Sequence, residues 1–585
     1  MRNSKWSLLL VLGLMLTLFL AACSGGSDSD TGSEGDSGEN SGETEGDASG
    51  DEASGAENDD ETLRISEPAE IPSMDSSVAQ TSTGIQFTSA TQEGLFRLKT
   101  GGEIVDGVAK KDETEVSEDG KTYTFHLRDD AKWANGDSVT AEDFVFAWRR
   151  ALKPETNSVY GPYLMDGNIK GASEILEKID NEEEVTEEDY ANLGVEAVDE
   201  TTLKVTLAKP VPYFESFAAF PTFYPLNKKF VEEQGDKYAL EADTHLSNGP
   251  YKLDSWEHEA SWKLVKNDQY WDKDAVDVEN IDVRVVKERA TNVNLYNTDK
   301  LDRIPLGGDF IDKYKTDANY KELTEAVLFY LKFNQKSSEK GKFMQNENFR
   351  KAIAMAFSKE DYVDVTVGNS SYAADYFIPK EFVQHPENDK DFREINGDEL
   401  LPYDLEKAQE HWAKAKEDLG FDTIELSFLS SDTEAAKLTS EFFKNQLEKN
   451  LEGLTINLKN VPFKERVRIE NASEYELSFS GWGPDYKDAI SFLDLWVTGG
   501  ANNDMGYSNE EYDKLIKSAR GDLATKPVER FEAMLEAEKV LLDDAAIAPV
   551  YQRKRSVLSQ PYIKNMDQLN PFGNDYSYKY VEIEK

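Results

Sequence analysis

The chain has 585 residues, with 65 Lys and Arg against 114 Asp and Glu and a formal net charge of −49. So acidic a surface repels phosphate backbones and anionic head groups, which excludes nucleic acid as a partner. A single cysteine, Cys23, excludes an internal disulfide.

The first expected element is an export signal. Arg2 and Lys5 precede an apolar run from Leu8 to Ala22, which is too short to read as a spanning helix. The run closes on Leu20-Ala21-Ala22-Cys23, a pattern similar to a bacterial lipobox, in which the cysteine is diacylated and becomes the mature N-terminus. Lipid attachment gives the lone thiol of an exported chain a use, and two acyl chains suffice for stable retention. The alternative is an ordinary signal with an incidental cysteine. Residues 24–61 hold 14 acidic residues, no basic ones and nothing apolar larger than Ala. Such a segment cannot offset its ordering entropy and is expected to be a disordered, self-repelling tether. Without residues 1–61, 63 basic and 100 acidic residues remain, so the acidity, near −37, belongs to the folded part as well.

Beyond the tether, strand-like and helix-like segments alternate, which predicts α/β lobes and not separate all-α and all-β domains. In KTYTFHLR (121–128), Tyr123, Phe125 and Leu127 share one face of a period-2 strand, and TLKVTLA (202–208) repeats the pattern. WANGD (133–137) reads as a turn. TAEDFVFAWRRAL (140–152) opens on Thr140 as N-cap with acids in the first turn, and it is apolar at 144, 147, 148 and 151. That predicts a helix. NENFRKAIAMAFSKEDYVDVTV (346–367) and PVERFEAMLEAEKVLLDDAA (527–546) are expected to form longer helices.

Catalytic motifs do not emerge. His126, His245, His258, His385 and His411 form no HExxH pair, and the chain has no GxSxG elbow and no Walker-type loop. DKDAVDVEN (272–280) starts like a calcium loop but lacks its glycine and terminal glutamate, so it reads as a solvated turn. His126 alternates with apolar residues and reads as structural. Neither cofactor, metal nor enzymatic activity is expected. The rival reading is a hydrolase using a carboxylate pair, of which a chain this acidic offers many.

Seven blocks, in order, resemble the family 5 bacterial extracellular solute-binding proteins, the oligopeptide-binding lipoproteins of ABC importers. They are EGLFRLKTGGEIVDGVAKK (93–111), SEDGKTYTFHLRDDAKWANGDSVTAEDFVFAWRRALKPETNSVYGPYL (117–164), VPYFESFAAFPTFYPLNKKFVEEQGDKY (211–238), SNGPYKLDSWEHEASWKLVKNDQYWD (247–272), FYLKFNQKS (329–337), NENFRKAIAMAFSKE (346–360) and IAPVYQ (547–552). The resemblance implies an α/β, two-lobed periplasmic-binding-protein-like (type II) fold with an extra subdomain on lobe I. Lobe I would comprise 62–100, 226–330 and 555–585, the subdomain 101–225 and lobe II 331–554, closing on ligand like a hinged clamp. It implies capture of an oligopeptide as an added strand and delivery to the permease's transmembrane subunits, without covalent chemistry. A peptide-signal receptor, or a family binder of dipeptides, nickel chelates or oligosaccharides, is the alternative. The implied state is a monomer on the extracellular face of a Gram-positive cell membrane, anchored through Cys23.

The stretch SFSGWGPDYKDAISFLDLW (478–496) carries the implied site. The family's Gly-Trp-x-Ala-Asp-Tyr pattern matches Gly481, Trp482, Gly483, Asp485 and Tyr486. By resemblance Asp485 accepts the peptide's α-ammonium, a desolvated charge-assisted bond that also sets strand register. Main-chain groups of Gly481 and Gly483 would pair with the ligand and Trp482 would form a pocket wall. Gln80, Thr81 and Ser82 would face the peptide backbone, and Tyr160 would reach the ligand from the extra subdomain. The residues alone leave other roles open: Asp485 as a cap after Pro484 or a lysine's partner, Trp482 and Tyr160 as packing. Pro484 stands where Ala is usual. Some peptide binders of the family carry cations just before the Gly-Trp pair for the ligand's carboxylate, but ENASEYELSFS (470–480) has none, and Arg466 and Arg468 are the nearest.

Overall fold

Alternating burial builds the sheets, as the period-2 pattern requires. Tyr123 and Phe125 are buried on the strand Thr122–His126, and Leu203 and Val205 on its antiparallel partner Thr202–Thr206. Both belong to a four-stranded sheet completed by Glu115–Val116 and Val195–Asp199. Between them, the helix Ala141–Ala151 starts in a capping box formed by Thr140 and Asp143 and buries Phe144, Ala147, Trp148 and Ala151. Trp148 packs edge-on against Phe223 with ring centroids 4.9 Å apart. Its indole N–H donates to the Phe223 carbonyl at 3.0 Å. WANGD is a turn, with Gly136 at φ +92° and its N–H bonded to the Trp133 carbonyl.

The computed structural model describes residues 61–68, 70–336, 339–500 and 502–585. The expected signal segment, Cys23 and the tether as far as residue 60 lie outside the described residues. Three expected elements differ from the sequence reading. Residues 346–367 form Glu347–Ala354, Lys359–Tyr362 and a π-helical turn Val363–Val367 instead of one helix. The break comes at Ser358, whose side chain accepts the Asp361 N–H and starts a new helix, a local bond to which apolar periodicity is blind. The helix Pro527–Asp543 stops short of 546, where Ala545 takes φ +44°. In 272–280 the turn Lys273–Ala275 is followed by buried Val276 and Val278, so the loop is packed and not merely solvated.

A sheet of eleven strands organises the rest. Its order begins Leu454–Val461, Ile424–Ser431, Leu477–Trp482, Tyr320–Phe333, Ile547–Ser559. It continues Arg303–Pro305, Thr62–Glu67, Asn280–Val285, Ser261–Lys266, Tyr251–Glu257, with Tyr372–Ala373 pairing beside Ile547–Ser559. Beside a small hydrophobic core of Val293, Tyr296, Leu301, Ile304 and Leu558, the sheet serves two large ones. One gathers residues from Leu63 to Val283 and from Val557 to Val581, and includes the four-stranded sheet; the other spans Ala326 to Tyr551. The long antiparallel strands Tyr320–Phe333 and Ile547–Ser559 cross between them: Leu323 and Val557 sit in the first core, Leu328 and Tyr551 in the second. Their register shifts between Thr324 and Leu328. At that crossing buried Glu325 pairs with Arg553 and Arg555, and its carbonyl accepts from Gln552 Nε2 at 3.0 Å.

Trp148 joins the helix to the first core through both area and a hydrogen bond. Trp148→Ala is expected to cost about 3–5 kcal/mol in urea unfolding; a loss below about 1 kcal/mol would contradict that packing role.

Candidate functional site

The site grows from the strand Leu477–Trp482. It pairs antiparallel with Tyr320–Phe333, Gly481 opposite Phe329 and Trp482 opposite Leu328. On its other side, parallel pairing with Ile424–Ser431 covers only Leu477 and Ser478. The outer edge of residues 479–482 therefore carries no partner strand among the described residues, which leaves main-chain donors and acceptors for something else to pair with. Glycine at 481 is a packing requirement, because a Cβ there would come within 2.6 Å of the Phe329 ring. Phe329 lies flat against Phe479 and Tyr551, at 5.6 and 4.7 Å between centroids. Phe329, Tyr551, Ser480 and Gly481 line one side of a cleft of ≈ 870 Å³, and Ser82 and Arg303 belong to the facing wall.

After the strand the chain turns sharply, and Ser491 fixes the turn twice. Its carbonyl accepts the Trp482 indole N–H at 2.8 Å, and its hydroxyl accepts the Asp485 N–H at 3.0 Å. Asp485 is 8% exposed. The Tyr160 hydroxyl, from the short helix Tyr160–Met165 of the other core's chain, donates to Asp485 Oδ1 at 2.9 Å. The next residue, Tyr486, is packed into the first core, stacked on Tyr213 at 4.3 Å and edge-on to Phe217 at 5.4 Å. Asp485 is thus held at the junction of the two lobes, with Tyr160 as its contact from the far side.

The charges around this junction are unequal. Asp488 is bonded by both arms of Arg530, at 2.7 and 2.8 Å. Asp494 has Arg520 at 3.7 Å. Among the described residues Asp485 has no cation within ion-pair distance; its buried Oδ2 makes no hydrogen bond of good geometry, and the Tyr163 hydroxyl, itself unbonded, lies near enough to act on the carboxyl. Burial pushes the Asp485 carboxyl up to about 7, against the pull of the Tyr160 and Tyr163 hydroxyls, and the nearby Asp494 adds to the rise. Burial likewise lifts Asp494 to about 6, opposed by Arg520.

The other expected site residues fall at different distances from the cleft. Ser82 lines it, while Gln80 and Thr81 are exposed beside it. The Thr81 hydroxyl caps the helix Ser82–Thr91 by accepting the Gly84 N–H at 3.1 Å. Gly483 follows the strand, close to Val327, whose Cγ2 would lie 3.2 Å from an added Cβ. Trp482 is half-buried against the second core and does not line the main cleft. Arg466 does line it, bonded to Glu470 at 2.8 Å and Ser480 Oγ at 3.2 Å. Arg468 is exposed, paired with Glu465 and Glu474, and is not a lining residue. Three participants escaped the sequence reading: Tyr163, Phe329 and Arg303. Tyr163 was legible in principle, since it follows Tyr160 at the i,i+3 spacing that puts both hydroxyls on one helix face. Among the described residues no group of three or more His, Cys, Asp or Glu is arranged to hold a metal ion.

Residues 103–504 match the family model described as bacterial extracellular solute-binding proteins, family 5 Middle. The chain belongs to that family. Among curated relatives, the dipeptide-binding protein DppE of Bacillus subtilis (strain 168) is 33% identical over 510 residues, 87% of this chain and 89% of DppE. The oligopeptide-binding protein OppA of the same organism is 32% identical over 563 residues, 94% of each chain. Among solved structures, Listeria monocytogenes OppA bound to peptide is 44% identical, with a TM-score of 0.77, covering 90% of this chain and 99% of that one. As a family 5 member the protein has the two-lobed type II fold of solute-binding proteins and is a binding protein, not an enzyme.

In the unliganded protein the Asp485 carboxyl keeps its proton to about 7, whereas in the unfolded chain it ionises near 4, as Asp ordinarily does. Between these values the native state binds more protons than the unfolded one, so this group's contribution to stability falls as pH rises. Asp485→Asn has no proton to lose and still accepts from Tyr160. Unliganded, the variant is expected to gain on the unaltered protein in urea unfolding between pH 4.5 and pH 8. A difference that is the same at both pH values would contradict the burial of an uncompensated charge.

Proposed function

We propose that the protein captures peptides by their free α-ammonium group and presents them to the permease of an ABC importer on the outer face of the membrane. The observation that carries this reading is Asp485, a buried carboxyl with no cation within ion-pair distance among the described residues, while its two acidic neighbours each have an arginine. Leaving one charge of a buried pair uncompensated costs about 3–5 kcal/mol. An ammonium group brings three donors and the opposite charge, which is what Oδ2 lacks. The open edge at 479–482 supports strand addition, with Gly481 and Gly483 offering main-chain groups beside the ammonium site. Backbone pairing fixes direction and register, and a cleft of ≈ 870 Å³ leaves room for several side chains.

Closure is part of the same reading. Tyr160 and Asp485 come from opposite lobes, so the acceptor is complete only when the crossing strands bring the lobes together. Ser82 is assigned to the wall of this site, and Trp482, Gln80 and Thr81 to its margins. The expected lobe limits, 62–100, 226–330 and 555–585 with the subdomain 101–225, and 331–554, belong to the proposal. So do the lipid anchor at Cys23, the acidic tether that holds the lobes clear of the membrane, and a monomeric working state.

The test is calorimetry with alanine peptides of two to six residues, with and without N-acetylation. Free amines are expected to bind and acetylated ones to bind about a hundredfold more weakly or not at all; Asp485→Ala is expected to remove the difference. Unchanged affinity for free amines in Asp485→Ala would overturn the assignment. Native mass spectrometry of the purified protein reads the same claim without a variant, a mixture of retained peptides being the expected result.

A further inference from the structure

The cleft is charged opposite to the protein. Among the described residues Arg289, Arg303, Arg466, Arg553, Lys554 and Arg555 line it, against the carboxylates of Glu67 and Asp575. In the whole chain acids outnumber bases 114 to 65. Low-dielectric walls of one sign concentrate ligands of the other, so this contrast favours an anionic group in the bound molecule.

Most of these cations are engaged. Arg553 and Arg555 pair with Glu325, and Arg555 also meets Asp575 at 2.8 Å. Arg466 is bonded to Glu470, and Lys554 stands 4.2 Å from the centre of the Tyr372 ring. Arg289 is exposed. Arg303 differs from all of them. It is 5% exposed, on the short strand Arg303–Pro305 beside Ile65. Its Nη2 donates to the Tyr576 hydroxyl at 2.6 Å, and its guanidinium carbon lies 4.9 Å from the centre of that ring. Its Nη1 is buried with no acceptor. Among the described residues no carboxylate lies within ion-pair distance of it. Glu67, at the end of the adjacent strand, makes no ion pair with it, and burial, with Asp575 nearby, raises the Glu67 carboxyl to about 7.

A buried guanidinium with donors to spare is as unbalanced as a buried carboxylate with an acceptor to spare. Its planar fork matches one anion geometry in particular, the carboxylate. Resting on the peptide reading above, we propose that Arg303 is a carboxylate-binding residue of the cleft, the cationic counterpart of Asp485. The protein then prefers peptides that place a carboxylate there, from the C-terminus or from an acidic side chain. The two unbalanced groups stand on opposite lobes, Asp485 in the second and Arg303 in the first. A peptide bridging them adds its own charges to closure, and the spacing between them becomes a measure of the preferred length.

The experiment compares alanine peptides of two to six residues as free acids, as C-terminal amides, and as amides carrying one Glu at successive positions. Each is titrated by calorimetry into the unaltered protein, Arg303→Gln and Arg303→Lys. At one length or position the carboxylate-bearing peptide is expected to bind the unaltered protein about tenfold or more tightly than the uncharged amide. That ratio is expected to fall towards one in Arg303→Gln and to be kept in part by Arg303→Lys, which retains charge without the fork. A preference confined to free acids identifies the C-terminus as the source, and one confined to a Glu position identifies a side chain. A ratio of one in the unaltered protein overturns the proposal without recourse to a variant, and so does a ratio that Arg303→Gln leaves unchanged. Failure of every alanine peptide to bind the unaltered protein contradicts the peptide reading itself. If Arg303→Gln does not fold, Arg303→Lys decides: a ratio equal to that of the unaltered protein counts against Arg303.

Discussion

One carboxylate is held out of water at the junction of two lobes without a cation of its own. Everything near Asp485 serves to keep it there. Ser491 fixes its main chain, Tyr160 takes one oxygen, and Tyr486, the next residue, is stacked into the opposite core. The neighbouring acids Asp488 and Asp494 have Arg530 and Arg520, so local cations are present but directed elsewhere. Such an imbalance is held by packing and stands ready for a ligand.

The rest of the architecture follows from where that group must be. The crossing strands Tyr320–Phe333 and Ile547–Ser559 join the lobes, and the strand Leu477–Trp482 hangs from the first of them by antiparallel pairing. That pairing delivers Gly481 to the cleft wall, leaves an edge open beyond Ser478 and carries the chain on to Asp485. Glu325, caught between Arg553 and Arg555, sits at the crossing between the two large cores. The acidic exterior and cation-lined cleft divide two tasks: solubility outside, and selection of an anionic group inside.

Local elements were legible where burial alternates with polarity. Residues 122–126, 141–151 and 202–206 take the forms their apolar spacing demands. The break at Ser358 was not, because a side-chain cap overrides a continuous apolar stripe. Sheet order was not legible from periodicity, since Thr62–Glu67 pairs with Asn280–Val285 across two hundred residues of intervening chain. In the site, the Asp485 segment stood out through its apolar flanks and its resemblance to a family motif. The roles of its neighbours did not. Nothing local in the sequence joins Arg530 to Asp488 or leaves Arg303 without a carboxylate; those are products of tertiary packing.

The most direct measurement is a crystal structure of the protein with an alanine peptide bearing a free amine. The peptide ammonium is expected within hydrogen-bond distance of Asp485 Oδ2, with the Tyr160 bond retained and the peptide strand paired along residues 479–482. A peptide running the other way, or an Asp485 that turns to a protein cation while the ammonium lies elsewhere, would contradict the central claim.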